Sequence, residues 1–521
     1  MPAALVEEIH VTVTEDLAAE LHRREGAAKT VVDGVDVSAQ AAAFITQGAI
    51  PHVIAGEQRA STSGHERAVL NPSTGNQLGA VANGSADDVD AAVTSAREAF
   101  EDGRWSRLAP REKEARLHRL ATLVEDHVAT IGDLDALDAG ILRKYADYIA
   151  QYSANALRYY AGWPTKLVGQ LPPVGPDFVV QERTEPIGVM GVIKPWNGPA
   201  AIFAQVAPAL AAGNSVVLKP AEHTPLSATY LALLALEAGI PPGVFNVVHG
   251  DGVVGSALVA HPGVNRLSFT GSVGTGRALA AAAAQSLKKV NLELGGKSPV
   301  LVFPDADLGE AAAAATRSVW NNSGQVCTAG TRTLVHRDIY EDFVDAAVAL
   351  SKDLVVGNAF DDASDLGPLI TPAQLAKVRG YVDIGKREGA SLRFEGVAGE
   401  SDGNYQAPVI FADVRNDMTI AREEIFGPVM SIIPFEDESQ AYALANESEF
   451  GLAAGVFTKD IARANRAADA LDVGTVWVNC YQVTDAAVSY GGAKASGYGR
   501  SLGGPALEEY TRRKSVWSRN Y

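Results

Sequence analysis

The chain holds 521 residues, 47% hydrophobic, 20% charged and 7% aromatic. That is enough apolar material for more than one buried core, and it excludes a small binding module, a disordered chain and a fibrous one. The net charge of −18, from 44 Lys+Arg against 62 Asp+Glu, sets up a mean field that repels phosphate backbones and anionic bilayers, so neither nucleic acid nor membrane is an expected partner.

Residues 1–49 read as an N-terminal extension whose role the pattern does not define. Glu7 and Glu8 stand where a secretory leader would need basic residues before an apolar run, and no stretch reaches the ~18 apolar residues of a membrane span. A cytoplasmic location is expected. Pro51 to Glu57 then reads as a short strand with a turn at Ala55-Gly56, and Asn71-Pro72-Ser73-Thr74-Gly75 as a turn. Ser85 and Asp88 suggest a capping box, followed by Val89, Ala92, Val93, Ala96 and Phe100 at helical spacing. Pro110 opens a second helix with the stripe Ala115, Leu117, Leu120, Ala121 and Val124.

From Val189 short β-rich runs alternate with helices: Val189–Ile193, helical Phe203–Ala212, Ser215–Leu218, helical Leu226–Ala238, Val244–Val248, Leu267–Phe269, a glycine turn over 271–276 and a helix from Arg277. The alternation predicts a parallel sheet with crossover helices, the frame of a nucleotide-binding α/β domain. A second α/β stretch follows from Ser298 to Asn479, with strands at Val300–Phe303, Thr331–His336, Val429–Pro434 and Thr475–Asn479. The strand-like Arg512–Ser518 needs a sheet to join, in this subunit or another.

Several segments could carry chemistry. Gly271-Ser272-Val273-Gly274-Thr275-Gly276 lies between a strand and a helix, where backbone N–H groups can meet a pyrophosphate. Its spacing is not GxGxxG, and a glycine turn without a ligand explains it as well. Lys219 and Glu222 end a buried strand. A carboxylate there accepts both ribose hydroxyls and repels a 2′-phosphate, favouring NAD over NADP, while the alternative is an exposed ion pair.

Neither Cys327 nor Cys480 has a disulfide or zinc-like spacing, and the ten histidines are scattered, so free thiols in a reducing compartment and no metal are expected. Cys480 ends a buried-strand pattern and reads as a packing residue. Cys327, in the polar loop Asn321-Asn322-Ser323-Gly324-Gln325-Val326-Cys327, is a candidate nucleophile. Glu293, before Gly295-Gly296, is a candidate base or a solvated strand acid. Asn197, in Pro195-Trp196-Asn197-Gly198, could donate to an oxyanion, although capping the next helix is the simpler reading.

In order and approximate spacing, Pro195-Trp196-Asn197, Lys219-Pro220-Ala221-Glu222, Phe269-Thr270-Gly271-Ser272, Glu293-Leu294-Gly295-Gly296-Lys297, Gly324-Gln325-Val326-Cys327 and Glu423-Glu424-Ile425-Phe426-Gly427-Pro428 resemble the NAD(P)-dependent aldehyde dehydrogenase superfamily, from about Ile50 to the C-terminus. The resemblance implies an α/β fold with a Rossmann-type cofactor domain (50–166 and 184–294), an α/β catalytic domain (295–479), and a β-arm and C-terminal segment (167–183 and 480–521) that build a homodimer or homotetramer. It implies NAD, with NADP less favoured, and a small-molecule aldehyde as substrate.

By the same resemblance Cys327 attacks the aldehyde, Asn197 and the Cys327 N–H hold the oxyanion, and Glu293 activates the deacylating water. Lys219 and Glu222 would hold the adenosine ribose, Gly271 and Ser272 the pyrophosphate, and Glu424 with Phe426 the nicotinamide ribose. Ile193, Lys194, Pro195, Trp196, Leu294 and Gly295 would complete the cofactor wall.

The chain departs from the common pattern at Gly198, where relatives often carry a bulky residue. It departs again at Phe203-Ala204-Gln205-Val206, where relatives often carry Trp-Lys and the chain is one residue shorter. With Val326 and Thr328 beside the thiol and Thr484 in the loop after Cys480, a roomier and less aromatic tunnel is expected, suited to a bulkier or more polar aldehyde. A coenzyme A-acylating enzyme and a catalytically silent binding protein on the same scaffold are the alternatives. Glu293 disfavours the first and the pair Cys327 and Glu293 the second.

Overall fold

The computed structural model describes residues 29–399 and 402–520. Its first element is a hairpin of β1 (Lys29–Val32) and β2 (Val35–Ser38). Asp33 and Gly34 both adopt positive φ, 50° and 79°, as a two-residue turn of this kind requires. Asp33 also accepts hydrogen bonds from the side chains of Asn71, Thr74 and Asn76, at 2.8, 2.6 and 2.8 Å. Behind it, helix Ala39–Thr46 buries Ala41, Phe44 and Ile45 against Val69, Val81, Leu134 and Leu137. Residues 29–49 are thus docked on the body; residues 1–28 lie outside the described residues.

Two hairpins follow: β3 (His52–Ile54) with β4 (Glu57–Arg59), and β5 (Glu66–Leu70) with β6 (Gln77–Ala82). Helix Ala86–Glu101 begins with the expected capping box, a device worth about 1 kcal/mol. Two positions differ from the expected stripes. Phe100 is half-buried and Ala99 takes the buried place. In helix Pro110–Asp126 Ala115 is exposed and Lys113 buried, because Ala115 stands roughly 200° round the helix from Leu117 whereas Lys113, four residues away, shares its face.

The ribbon strand β7 (Phe178–Pro186) leads into the parallel core of β8 (Val189–Ile193), β9 (Ser215–Lys219), β10 (Phe245–Val247), β11 (Arg266–Thr270) and β12 (Lys289–Glu293). Val189 to Ile193 and Ser215 to Lys219 are buried at every position, as strands covered on both faces by crossover helices must be. The helix after β11 starts at Val273 rather than Arg277. Gly274 and Gly276 therefore lie in its first turn, with Ser272 as the cap, because Ser272 Oγ satisfies the Thr275 N–H.

A second sheet is built from β13 (Pro299–Val302), β14 (Arg332–His336), β15 (Ser391–Glu395), β16 (Val409–Ala412), β17 (Val429–Phe435), β19 (Ala453–Phe457) and β20 (Thr475–Val478). The short β18 (Phe450–Gly451) pairs with β21 (Ala493–Lys494). β20 is an edge strand in which only Trp477 is buried, so Cys480 after it is half-buried rather than enclosed, packed against the core of this sheet.

After β21, β22 (Gly497–Tyr498) crosses back and joins the first sheet beside β12, giving the order β22-β12-β11-β8-β9-β10-β3-β4. The C-terminal segment thereby reaches the carboxyl end of the cofactor sheet as well as the arm. The final strand β23 (Thr511–Arg519) pairs antiparallel with β7 along its whole length. The two form a separate ribbon, which is the sheet that the terminal strand needed.

Candidate active site

In the first sheet the chain runs outward from β8 through β9 to β10, then crosses back to β11 and β12 on the other side of β8. The crevice at the carboxyl ends of strands beside such a reversal is where open α/β sheets take ligands. Ile193 ends β8 with Lys194 to Asn197 after it, Lys219 ends β9 with Pro220 to Glu222 after it, Gly271 and Ser272 follow β11, and Glu293 ends β12 with Leu294 and Gly295 after it. All the sequence-derived cofactor positions of this domain therefore lie along one edge.

Lys219 is buried, and its ammonium donates to the Pro220 carbonyl at 2.9 Å and lies 3.7 Å from the half-exposed Glu222 carboxylate. The pair is not a free surface ion pair. Ser272 is exposed at the start of helix Val273–Ala284, whose first-turn N–H groups lack intrahelical acceptors. From the other sheet, Glu424 Oε1 accepts the Gly296 N–H at 3.1 Å. A Cβ on Gly295 would lie 2.2 Å from Glu424 Oε2, so a side chain there would displace this carboxylate. Phe426 sits edge-on to Trp196 at 5.3 Å with a left-handed φ of 60°. Gln374 holds that strained backbone by donating to the Phe426 carbonyl at 2.8 Å. A half-exposed carboxylate beside a buried lysine, an open helix start and an aromatic pair fit the ribose, pyrophosphate and nicotinamide parts of NAD.

Cys327 lies on the loop between helix Leu308–Trp320 and β14. Asn322 and Ser323 both have positive φ, 47° and 53°, and the loop is held by its own polar side chains. Ser323 Oγ donates to the Gly367 carbonyl at 2.7 Å, and Gln325 receives the Ile370 N–H at 3.0 Å. Asn197 does not cap the next helix, which begins at Phe203 after Ile202. Its amide donates to the Gln325 carbonyl at 2.9 Å, tying the β8 turn to the thiol loop and leaving a second N–H available. Burial pushes the Cys327 thiol above its ordinary pKa; a hydrogen bond with Tyr490, 3.3 Å away, opposes this, and the carboxylates of Glu424 and Glu293 add to it.

Glu293 is buried, which rules out the solvated strand acid. Loss of water pushes its carboxyl up to about 8, against the Ser501 hydroxyl and the charges of Arg500 and Lys194. Ser501 Oγ donates to Glu293 Oε1 at 2.9 Å, while Oε2 has no hydrogen-bond partner. A polar chain runs behind it: Lys194 Nζ donates to Gln205 Oε1 at 2.7 Å, and Gln205 Nε2 reaches Ser501 Oγ at 3.4 Å. Burial lowers Lys194 to about 8, with Glu293 and Cys327 favouring its charged form. The helix that lacks the family's common lysine thus presents a glutamine to a lysine from the end of β8.

Sequence reading missed Gln205 as a partner, along with Tyr152, Tyr490 and Ser501. Tyr152 is electrostatically coupled to both Cys327 and Glu293, so the surroundings of the thiol are aromatic but hydroxyl-bearing, not poor in aromatics. The expected open space is present at one position: a Cβ on Gly198 would meet only Ala201, at 3.8 Å. Thr328 is buried and Thr484 exposed. Among the described residues no cluster of His, Cys, Asp or Glu is suited to a metal, and no helix is long and apolar enough to cross a membrane.

A dinucleotide-type sheet whose carboxyl edge meets a loop bearing a thiol is the arrangement of a cofactor-dependent oxidoreductase. The aldehyde dehydrogenase family model matches residues 59–516. The chain is 43% identical to the putative aldehyde dehydrogenase DhaS of Bacillus subtilis, over 90% of this chain and 96% of that protein. It is 46% identical to the mitochondrial aldehyde dehydrogenase of Homo sapiens, over 86% of this chain and 87% of that one. An NAD+ complex of the aldehyde dehydrogenase from Bacillus cereus superimposes with a TM-score of 0.91 at 41% identity, covering 93% of this chain and 99% of that one. The chain belongs to the aldehyde dehydrogenase family, with that family's α/β fold, and its activity is the NAD-dependent oxidation of an aldehyde to a carboxylic acid.

Proposed function

We propose that Cys327 is the nucleophile, Asn197 an oxyanion donor and Glu293 the hydrolytic base. The observation that carries this reading is the buried Glu293 carboxylate, electrostatically coupled to Cys327 and with one oxygen unpartnered. The Cys327 thiolate adds to the aldehyde carbonyl. The Asn197 amide and the Cys327 N–H take the charge that develops on oxygen. NAD, when bound, would accept the hydride of the thiohemiacetal carbon, and the carbon that loses it would remain on Cys327 as a thioester. Glu293 then removes a proton from water as it attacks the thioester, the C–S bond breaks, and the acid leaves with the thiolate restored. A base committed to water favours hydrolysis over transfer to coenzyme A.

Toward NAD, Lys219 and Glu222 would hold the adenosine ribose, with Glu222 disfavouring a 2′-phosphate. Gly271 and Ser272 would hold the pyrophosphate, and Glu424 and Phe426 the nicotinamide ribose. Ile193, Pro195, Trp196, Leu294 and Gly295 would wall the crevice, and Lys194 would belong to it through its hydrogen bond with Gln205. We place the two domains at 50–166 with 184–294 and at 295–479, in an enzyme of the reducing cytoplasm where Cys327 stays a thiol.

The open space at Gly198 and the tyrosine hydroxyls support a bulky or polar aldehyde as substrate. Gly198→Phe is expected to lower kcat/KM for large aldehydes relative to small ones about tenfold. An unchanged ratio in steady-state assays would remove this reading of the tunnel.

The β7–β23 ribbon leaves Phe178, Val179 and Trp517 exposed, with Trp517 62% accessible, which supports assembly of dimers or tetramers through it. Trp517→Glu is expected to reduce the mass measured by light scattering to that of a smaller assembly; a monomeric wild type, or an unaltered variant mass, would count against the ribbon as the interface.

A further inference from the structure

The loop between β20 and β23 returns to the reaction centre twice, at Tyr490 and at Ser501. These residues face each other in an isolated antiparallel bridge: the Tyr490 N–H donates to the Ser501 carbonyl at 2.7 Å, and the Ser501 N–H donates back to the Tyr490 carbonyl at 2.7 Å. Arg500 Nη1 staples the same turn through the carbonyls of Gly492 and Gly499, at 3.0 and 2.7 Å. Gly499 admits close approach to β12, since a Cβ would lie 2.1 Å from Asn291 Oδ1. From this one backbone unit the Tyr490 hydroxyl stands 3.3 Å from Cys327 Sγ and the Ser501 hydroxyl 2.9 Å from Glu293 Oε1.

We propose that Tyr490 and Ser501 form a two-hydroxyl clip: Tyr490 is a further catalytic residue that hydrogen-bonds the reacting sulfur, Ser501 is a positioning residue for the Glu293 carboxylate, and their reciprocal backbone bonds fix the two hydroxyls relative to each other. The inference rests on the roles proposed above for Cys327 and Glu293. Burial keeps the Tyr490 phenol protonated, so against a thiolate it can only donate. The bond is strongest when sulfur carries charge, before attack and again when the C–S bond of the thioester breaks and the electron pair returns to sulfur. In the acylated states sulfur is a weak acceptor and the bond contributes little. Tyr490 therefore raises the thiolate fraction for attack and eases departure of the thiolate during hydrolysis. Ser501 Oγ, approached at 3.4 Å by both Gln205 Nε2 and Asn291 Nδ2, has its proton directed to Glu293, which favours the ionised base.

The groups whose charge bears on the Cys327 sulfur come from several elements: Glu293 from β12, Glu424 from the segment before β17, Lys194 from the end of β8, Tyr152 from helix Arg143–Ala161, and Tyr481 with Tyr490 from the C-terminal loop. Tyr490→Phe removes one oxygen and leaves the rest of this set in place.

The test follows Cys327 alkylation by iodoacetamide against pH in the full-length enzyme carrying Cys480→Ser, with the modified peptide located by mass spectrometry. Tyr490→Phe is expected to move the midpoint up by about one pH unit; an unmoved midpoint overturns the role of Tyr490. In single-turnover release of acid from the acyl-enzyme, Ser501→Ala is expected to move the rising limb to higher pH, and a limb left in place overturns the role of Ser501. Retained NADH formation in Cys327→Ser would instead count against the underlying reading, which the alkylation midpoint does not measure.

Discussion

Cys327→Ser is expected to reduce NADH formation from every aldehyde by about 10⁴-fold or more, the scale of removing a covalent nucleophile, while Cys480→Ser retains most of it. The two thiols differ in place more than in chemistry. Cys327 follows a strained loop pinned at Ser323 and Gln325, has Tyr490 at 3.3 Å, and shares its surroundings with two carboxylates. Cys480 follows an edge strand and packs against the second sheet's core. Serine preserves the shape of either side chain but is far harder to ionise than a thiol, so the loss falls where a thiolate is used. Equal losses in the two variants, measured as initial rates of NADH absorbance, would mean that the thiols have been assigned wrongly.

Glu293→Gln is expected to slow release of acid by about 10²- to 10⁴-fold, the usual contribution of a positioned general base, while a first turnover of NADH still forms. The pH dependence has a definite sign. Burial raises the Glu293 carboxyl to about 8, and the active form is the carboxylate, so roughly a tenth is ionised at pH 7. Deacylation in the wild type should rise about tenfold per pH unit below that point and level off above it. A carboxamide in place of the carboxyl has no proton to lose in this range, so the variant should lose this limb. Stopped-flow measurement of the NADH burst against steady-state turnover separates the steps; a wild-type steady state with the limb intact would require another base.

Much of this was legible because the chemistry sits on local motifs. Strands buried on both faces announce themselves as unbroken apolar runs, as Val189 to Ile193 does, and residues at their carboxyl ends follow at once in sequence. Lys219, Glu222 and the Gly271-Ser272 turn are legible in this way, whereas Glu293 closes the alternating Val290-Asn291-Leu292-Glu293 and is marked by the glycine pair Gly295-Gly296 that follows. The Asp33-Gly34 turn between two valines is a hairpin signal of the same local kind, and the fold uses it to dock the segment from Lys29 on the body. Asn197 is hardest to judge alone, since its partner, the Gln325 carbonyl, lies on the loop leading into the opposite sheet.

What the sequence could not show depends on long-range return of the chain. Tyr490 and Ser501 lie in a glycine-rich loop without hydrophobic periodicity, and the pairing of β22 with β12 together with their own bridge carries them to residues 163 and 208 positions earlier. The loss of a lysine from helix Phe203–Ala211 is visible in sequence, but its replacement is not: Lys194 reaches Gln205 from the neighbouring strand end, a contact set by helix placement. Ala115 failed for a simpler reason, since an alanine fits either face of a helix and only the phase set by Leu117 and Leu120 decides which one it takes.

The central claim is a covalent path through Cys327 that Glu293 resolves with water. Its most direct test mixes Glu293→Gln with an aldehyde and NAD at neutral pH, quenches with acid and maps the peptides by mass spectrometry. The account predicts an added acyl mass on the peptide containing Cys327 and none on the peptide containing Cys480. NADH formation with no acyl mass on Cys327, or with the acyl group on another residue, would contradict it.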